Sequence, residues 1–165
     1  MSALSALALV SCSFKEKDPR AYPGTRAGER LESVVESYGL QLPSCDITDV
    51  GFSGSSKRPG EKLNLSFRAP EECVNRYLAD HGVKAGEAVS WPFGPRVIDG
   101  REVSPTEPPF AGGDVKRFGW KLDATGKYEY YDSFTTIKGA HFAVLVDVHD
   151  PMRTIYMHAV TQPGP

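Results

Sequence analysis

The sequence lacks a long hydrophobic run and lacks any block of charge of one sign. No stretch of its 165 residues approaches the ~20 consecutive apolar residues that cross a bilayer as a helix. Its 19 basic and 21 acidic side chains are interspersed and leave a net charge of −2. Nucleic acids and anionic membrane surfaces are bound through clustered Lys and Arg. We therefore predict no transmembrane helix and no nucleic-acid partner.

The sequence also lacks the motifs that mark common catalytic and cofactor sites. It has no Gly-rich phosphate loop, no H-E-x-x-H metal motif and no dinucleotide fingerprint. The nearest approach to a nucleophile elbow is Gly51-Phe52-Ser53-Gly54-Ser55, in which Ser55 stands where the strained turn requires glycine. These absences predict no cofactor and no catalytic residue, and they favour a protein that is not an enzyme.

Cysteine is scarce, and the three cysteines are an odd number. Cys45 and Cys73 are 28 residues apart and neither lies in a C-x-x-C motif, so a redox pair or a zinc knuckle is not indicated. If Cys12 has another role, the remaining two can form one disulfide, which an oxidising compartment permits and the cytosol does not. The alternative is two separate buried thiols, because unpaired cysteine is among the most buried residue types.

Cys12 ends the segment Leu9-Val10-Ser11-Cys12, which reads as an aliphatic residue, a tolerated residue, a small residue and a cysteine. This pattern resembles the lipobox of small bacterial lipoproteins. The resemblance implies that residues 1–11 are a signal peptide and that diacylglycerol on Cys12 holds the protein on the outer face of the cell membrane. No Lys or Arg precedes Cys12, although a signal peptide usually starts with positive charge. The alternative is a cytosolic protein with a coincidental match.

The residues after the lipobox divide into a tether and one domain. Residues 12–25 are charged, contain proline and glycine and have no apolar period, which predicts a polar tether. Residues 26–165 are long enough to form a single domain with a buried core.

Two helices are predicted from apolar periodicity and end signals. The first spans residues 26–38, with Thr25 as its cap and Gly39 at its end. The second starts at Ala69-Pro70-Glu71-Glu72 and ends at His81-Gly82, because a proline and two glutamates suit the first turn of a helix.

Between these helices, residues 42–52 and 62–68 are predicted to form an antiparallel hairpin. In its second strand, Leu63, Leu65 and Phe67 alternate with polar residues. Strict alternation predicts one buried face and one face in water.

Residues 86–113 lose all periodicity and are rich in proline and glycine, apart from a short strand predicted at 96–98. A connection this long usually binds something or is disordered, and aromatic residues argue against disorder because they favour burial. We predict that it forms a binding surface through Trp91, Phe93, Arg96 and Phe110. The alternative is a coil packed over one edge of the sheet.

Four further strands are predicted over residues 116–122, 128–134, 141–149 and 153–161, and their short links favour antiparallel neighbours. The predicted fold class is therefore two-layer α+β. It consists of an antiparallel sheet of about five to six strands with two helices on one face.

The histidines offer one constellation that could carry chemistry. Alternation places His141 and Asp147 on the same face of their strand. If the last two strands pair across their four-residue link, His158 lies opposite Ala143 and diagonal to His141. His141, His158 and Asp147 could then hold a metal ion or act as acid and base. The alternative is two surface histidines on a face in water.

Together these patterns predict a membrane-tethered extracytoplasmic domain that binds rather than catalyses. Its expected partners are the membrane, through the lipid anchor, and an envelope protein or a small ligand. The alternative function is an envelope hydrolase or metal-dependent enzyme that uses His141, His158 and Asp147.

Overall fold

Six antiparallel strands form the central sheet of the domain. The computed structural model describes residues 16–58, 61–84 and 86–161, so Cys12 and the predicted signal peptide lie outside the described residues. The elements are, in chain order, α1 (Leu31–Ser37), β1 (Thr48–Ser53), β2 (Asn64–Pro70), α2 (Glu71–Asp80), β3 (Val89–Trp91), β4 (Arg96–Ile98), β5 (Arg101–Val103), α3 (Gly112–Phe118), β6 (Tyr128–Thr135), β7 (His141–Asp147) and β8 (Met152–Ala159). The sheet has the strand order β1-β2-β8-β7-β6-β3, and β4 pairs with β5 in a separate ribbon.

The α+β class and the antiparallel sheet are confirmed, but the described residues contain three helices where two were predicted. The additional helix, α3, occupies the end of the predicted loop and the start of the predicted strand 116–122. Its ends carry ordinary helix signals that outweigh the short alternation. Asp114 lies in the first turn, Lys116 and Arg117 lie in the last, and Gly119 ends the helix with a φ of 67°.

The first core lies between the sheet and the two helices α1 and α2. It contains the apolar residues that alternation assigned to the buried face of β2, since Leu63, Leu65 and Phe67 are all 0% exposed. Phe142, Val144 and Val146 of β7 lie on the same side. The buried face of β2 was predicted correctly because its apolar residues follow a strict two-residue period.

The opposite face of the sheet is covered by a second core, which is mainly aromatic. Its members include Trp91, Phe93, Phe110, Phe118, Trp120, Tyr128, Leu145 and Tyr156. The cover extends to the polar side of β2, where Asn64 and Ser66 are 6% and 8% exposed. The prediction of a face in water is therefore wrong at β2. The sheet carries a layer on each side, where a two-layer arrangement was predicted.

The segment before α1 packs against the sheet instead of leading away from it. Asp18 is 1% exposed, and both of its carboxylate oxygens accept hydrogen bonds from the Arg20 guanidinium, at 2.9 and 2.8 Å. Ala21 forms a bridge with Phe52 of β1, and the ring of Tyr22 stacks on Phe118 at 4.8 Å. The second half of the predicted tether, residues 18–25, is thus part of the folded domain.

Helix α1 begins at Leu31, five residues later than predicted, because its first turn is satisfied from elsewhere. The Leu31 N–H donates to the Asp18 carboxylate at 3.2 Å, while the Thr25 hydroxyl donates to the Phe52 carbonyl and does not cap the helix. The end of the helix is as predicted, since Gly39 has a φ of 67°.

Cys45 and Cys73 form a disulfide with their Cα atoms 6.3 Å apart, which confirms the predicted pairing. The bond connects the segment before β1 to the first turn of α2. Among the described residues, none of the helices has the length and apolar character needed to cross a membrane.

Candidate functional site

A cavity of about 430 Å³ opens beside His158, where the aromatic cover of the sheet ends. Residues from four parts of the chain line it, namely the segment before α1, the adjoining ends of β1 and β2, helix α3, and β8. We call it the His158 pocket and define it by Ser53, Lys62, Asn64, Asp114, Arg117 and His158. Its lining is polar, so it is suited to a hydrophilic ligand.

Strand order brings the central residues of the pocket together. Strand β8 lies between β2 and β7, so His158 pairs with Asn64 on one side and with Ala143 on the other. The pairing of His158 with Ala143 confirms the predicted register of the last hairpin. The pairing with Asn64 joins residues 94 positions apart and was not predicted.

Asn64 holds the imidazole of His158 in one tautomer. The Asn64 side-chain nitrogen donates to the Lys62 carbonyl at 3.4 Å and to the Ser53 hydroxyl at 3.1 Å. A carbonyl oxygen only accepts, so the amide nitrogen must face Lys62 and the amide oxygen must face His158. Nδ1 of His158 therefore carries the proton and donates to this oxygen at 2.7 Å. The other ring nitrogen, Nε2, keeps its lone pair.

The surroundings of His158 favour its neutral form. Burial lowers the pKa of the imidazole below its ordinary value, the Lys62 ammonium acts in the same direction, and the Asp114 carboxylate opposes both. Since Nε2 has no hydrogen-bond partner among the described residues, it is available as an acceptor or a base toward the pocket.

Three charged side chains in the pocket are not neutralised by an ion pair. Arg26 pairs with Glu61 at 3.2 Å, so these two charges offset each other. Lys62, Arg117 and Asp114 form no ion pair with any part of the chain that the structure describes. The described part of the pocket thus offers two unpaired cations and one unpaired anion close to a neutral histidine.

The three-residue metal site predicted from His141, His158 and Asp147 is not assembled. Asp147 lies four positions along β7 from Ala143, the partner of His158, which is about 13 Å at the usual rise of a strand. His141 lies at the start of β7, where its backbone N–H donates to Thr161. Within the described ranges no three His, Cys, Asp or Glu side chains form a group that could hold a metal ion.

The aromatic residues of the predicted binding loop are buried. Trp91, Phe93 and Phe110 are 2%, 8% and 6% exposed, and the Trp91 indole N–H donates to the Glu107 carbonyl at 2.9 Å. They belong to the second core because the sheet face beneath them is apolar. Their burial leaves these three rings unavailable as a contact surface and favours the alternative of a coil packed over the sheet. Arg96 lies on β4, which pairs with β5 in a ribbon separate from the central sheet.

Five of the six residues that define the His158 pocket, all except His158, were not predicted as site residues. Ser53 belongs to the segment rejected as a nucleophile elbow, Asn64 was assigned to a face in water, and Asp114 was placed in a loop. The sequence contained only a weak signal for Ser53, which is a polar residue at the end of a strand with glycines close to it. Their proximity depends on strand order, which single-strand patterns do not contain.

No family model, curated protein or solved structure matches this chain.

The tautomer and the surroundings of His158 lead to a prediction for its titration. Followed by NMR of the ring protons, His158 should titrate below the ordinary histidine pKa of about 6.5. In Asn64→Asp the new carboxylate would face the imidazolium and should raise this pKa by about 1 to 3 units relative to the wild type. Asn75→Asp, which adds the same charge on an exposed face of α2, is the matched control and should leave it unchanged.

The lowered pKa of His158 makes the stability of the domain depend on pH. Because the pKa of His158 is lower in the folded state, the unfolded chain binds more protons between the two pKa values. The contribution of His158 to stability should therefore be complete above about pH 6.5 and decline as the pH falls below it. A wild-type midpoint at or above the ordinary value would contradict the assigned surroundings of this histidine.

Proposed function

We propose that this chain is an exported lipoprotein, held on the outer face of the cell membrane by diacylglycerol on Cys12, whose folded domain binds a ligand or an envelope partner. The observation that carries the proposal is the Cys45–Cys73 disulfide. Disulfides persist in oxidising compartments outside the cytosol. With these two cysteines paired, Cys12 remains, and it is the residue that the lipobox pattern assigns to lipid.

The His158 pocket supports the binding role of the domain. Ser53 and Asn64 are 4% and 6% exposed, yet both are hydrogen-bonded in fixed positions at the cavity. Buried polar groups that converge on an open cavity are typical of ligand sites. The buried aromatic residues of the 91–110 region support the second core and are not part of this proposed contact surface.

The anchor is tested by the mass of the N-terminal peptide of the full chain, expressed in a bacterium that processes lipoproteins. We expect a peptide that begins at Cys12 and carries diacylglycerol, and we expect the protein in the membrane fraction. Cys12→Ser should abolish both results. The double variant Cys45→Ser/Cys73→Ser is the matched control for loss of cysteine and should remain on the membrane. A wild-type peptide that begins with an unmodified Met1 would remove the anchor from the proposal.

A second candidate function is hydrolysis in the cell envelope, with His158 as a general base. The observation in its favour is the orientation of the ring by Asn64, which leaves Nε2 unprotonated at the cavity. In this candidate His158 acts without His141 and Asp147. Hydrolysis of p-nitrophenyl acetate by the wild type that is lost in His158→Gln and kept in His149→Gln would support it. Equal rates in both variants would end it.

A further inference from the structure

Lys62 and Asp114 carry opposite charges and line the same cavity. Lys62 is exposed two residues before the start of β2, and Asp114 is half-buried in the first turn of α3. The structure describes no ion pair for either side chain, although both line the pocket with His158. Two opposite charges that share a cavity and do not pair with each other can each receive the opposite charge of a ligand.

A second positive group is fixed at the rim of the pocket. The Arg117 Nε donates to the Pro23 carbonyl at 3.3 Å, and the guanidinium lies 5.4 Å from the Phe118 ring centroid. Its Nη2 lies close to Gly24, where an added Cβ atom would approach it to 2.8 Å. Arg117 is therefore held at the pocket by a backbone and a ring contact, and its guanidinium is suited to bind a carboxylate.

The floor of the pocket adds a fixed donor and a fixed acceptor. The Ser53 hydroxyl accepts from Asn64, so its own proton remains free to donate. His158 Nε2 has a lone pair that can accept. Asn64 donates to the Ser53 hydroxyl and to the Lys62 carbonyl and accepts from His158, so Asn64 is a positioning residue.

We propose that the His158 pocket binds a small zwitterion, which is a molecule with one carboxylate and one ammonium group, such as a free amino acid or a dipeptide. The carboxylate would be held by Lys62 and Arg117, and the ammonium by Asp114 and His158 Nε2. The volume of about 430 Å³ lies in the range of small-ligand sites. This inference rests on the proposed binding function but not on the lipid anchor.

A ligand with a single charge fits the pocket less well. A simple anion would be attracted by the two cations but repelled by Asp114, which forms no ion pair with the described residues. A simple cation would be attracted by Asp114 but repelled by Lys62 and Arg117. Leaving either charge desolvated and unpaired costs affinity, so a ligand that pairs with both is favoured.

The proposal is tested on the purified full chain by calorimetry and by amide NMR shifts, with alanine and alanylalanine as probes. Propionate and ethylamine are the matched probes, since each lacks one of the two charges. We expect the zwitterions to bind at least about tenfold more tightly than either single-charge probe. Lys62→Met and Asp114→Asn should each weaken zwitterion binding by about tenfold or more.

Lys127→Met and Asp132→Asn remove the same charges from exposed positions outside the pocket and should leave binding unchanged. Each of the four substitutions is away from the first core, and an unchanged amide spectrum outside the pocket verifies folding. Equal binding of propionate and alanine would overturn the proposal, as would the absence of binding up to about 10 mM or equal losses in pocket and control variants. The N-terminal mass is measured separately, so failure of the ligand and failure of the anchor are distinguishable.

Discussion

Removing the Cys45–Cys73 disulfide should lower the free energy of unfolding by about 3.5 kcal/mol. The bond closes a loop across a sequence separation of 28 residues, and the entropy that such a loop removes from the unfolded chain grows with its length. The loss is a large fraction of the total stability of a typical domain, which is about 5 to 15 kcal/mol. The double variant Cys45→Ala/Cys73→Ala should therefore unfold at a much lower urea concentration than the wild type.

The measurement is equilibrium urea unfolding followed by tryptophan fluorescence. Wild-type protein in a reducing agent should approach the double variant, whereas Cys12→Ala under oxidising conditions should match the wild type. A loss below about 1 kcal/mol would mean that the unfolded chain is already restricted between these two positions.

Replacing Trp91 by alanine should lower the free energy of unfolding by about 3 to 5 kcal/mol, the usual cost of a large core side chain. Trp91 is 2% exposed, and its ring packs edge-on against Tyr128 with the centroids 4.9 Å apart. The substitution also leaves the Glu107 carbonyl without the indole donor. This result would establish that the second core is a structural core and not an exposed contact surface.

Val97→Ala is the matched control, since Val97 belongs to the same region of the chain but is 65% exposed. It should change the free energy of unfolding by no more than about 0.5 kcal/mol. Both variants are compared by urea unfolding under identical conditions. If Trp91→Ala and Val97→Ala lowered the free energy of unfolding by similar small amounts, Trp91 would lie on the surface, as a binding loop requires.

The parts of the fold that were predictable from the sequence are those determined by neighbouring residues. Helix α2 was predicted from its first-turn residues, and the last hairpin was predicted with the register that places His158 opposite Ala143. In both cases the pattern and the partner lie within a short stretch of chain. The disulfide was predicted for a different reason, since three cysteines and one lipobox leave few pairings.

The second layer was not predictable, because its contacts join distant parts of the chain. The Tyr22 hydroxyl bonds to Ser66, 44 residues away, and the Trp120 indole donates to Tyr22, 98 residues away. Taken alone, β2 has the polar alternation of a strand with one side in water. Residues distant in the chain cover the polar face of β2 and bury it, and the sequence of β2 alone does not show that this happens.

The candidate site divides in the same way. His158 was recognised as a residue of interest from its place in a hairpin, but its partner Asn64 lies on β2, which pairs with β8 only through the strand order of the whole sheet. The predicted partners of His158, His141 and Asp147, both lie on β7. The residue that bonds to His158 instead lies on β2, the other neighbour of β8.

The burial of Asp18 limits how far the domain can stand from a lipid on Cys12. Six Cα-to-Cα steps separate the two residues, and a fully extended chain covers at most about 21 Å in that distance. A domain of this size has a radius of gyration of about 14 Å and therefore a diameter of more than about 28 Å. The segment from Cys12 to Asp18 is thus shorter than the diameter of the domain. With Cys12 in the bilayer, Asp18 would therefore lie within about 21 Å of the lipid. Gly24, which lines the His158 pocket, follows Asp18 by six residues, so this edge of the pocket would lie within about 42 Å of the lipid.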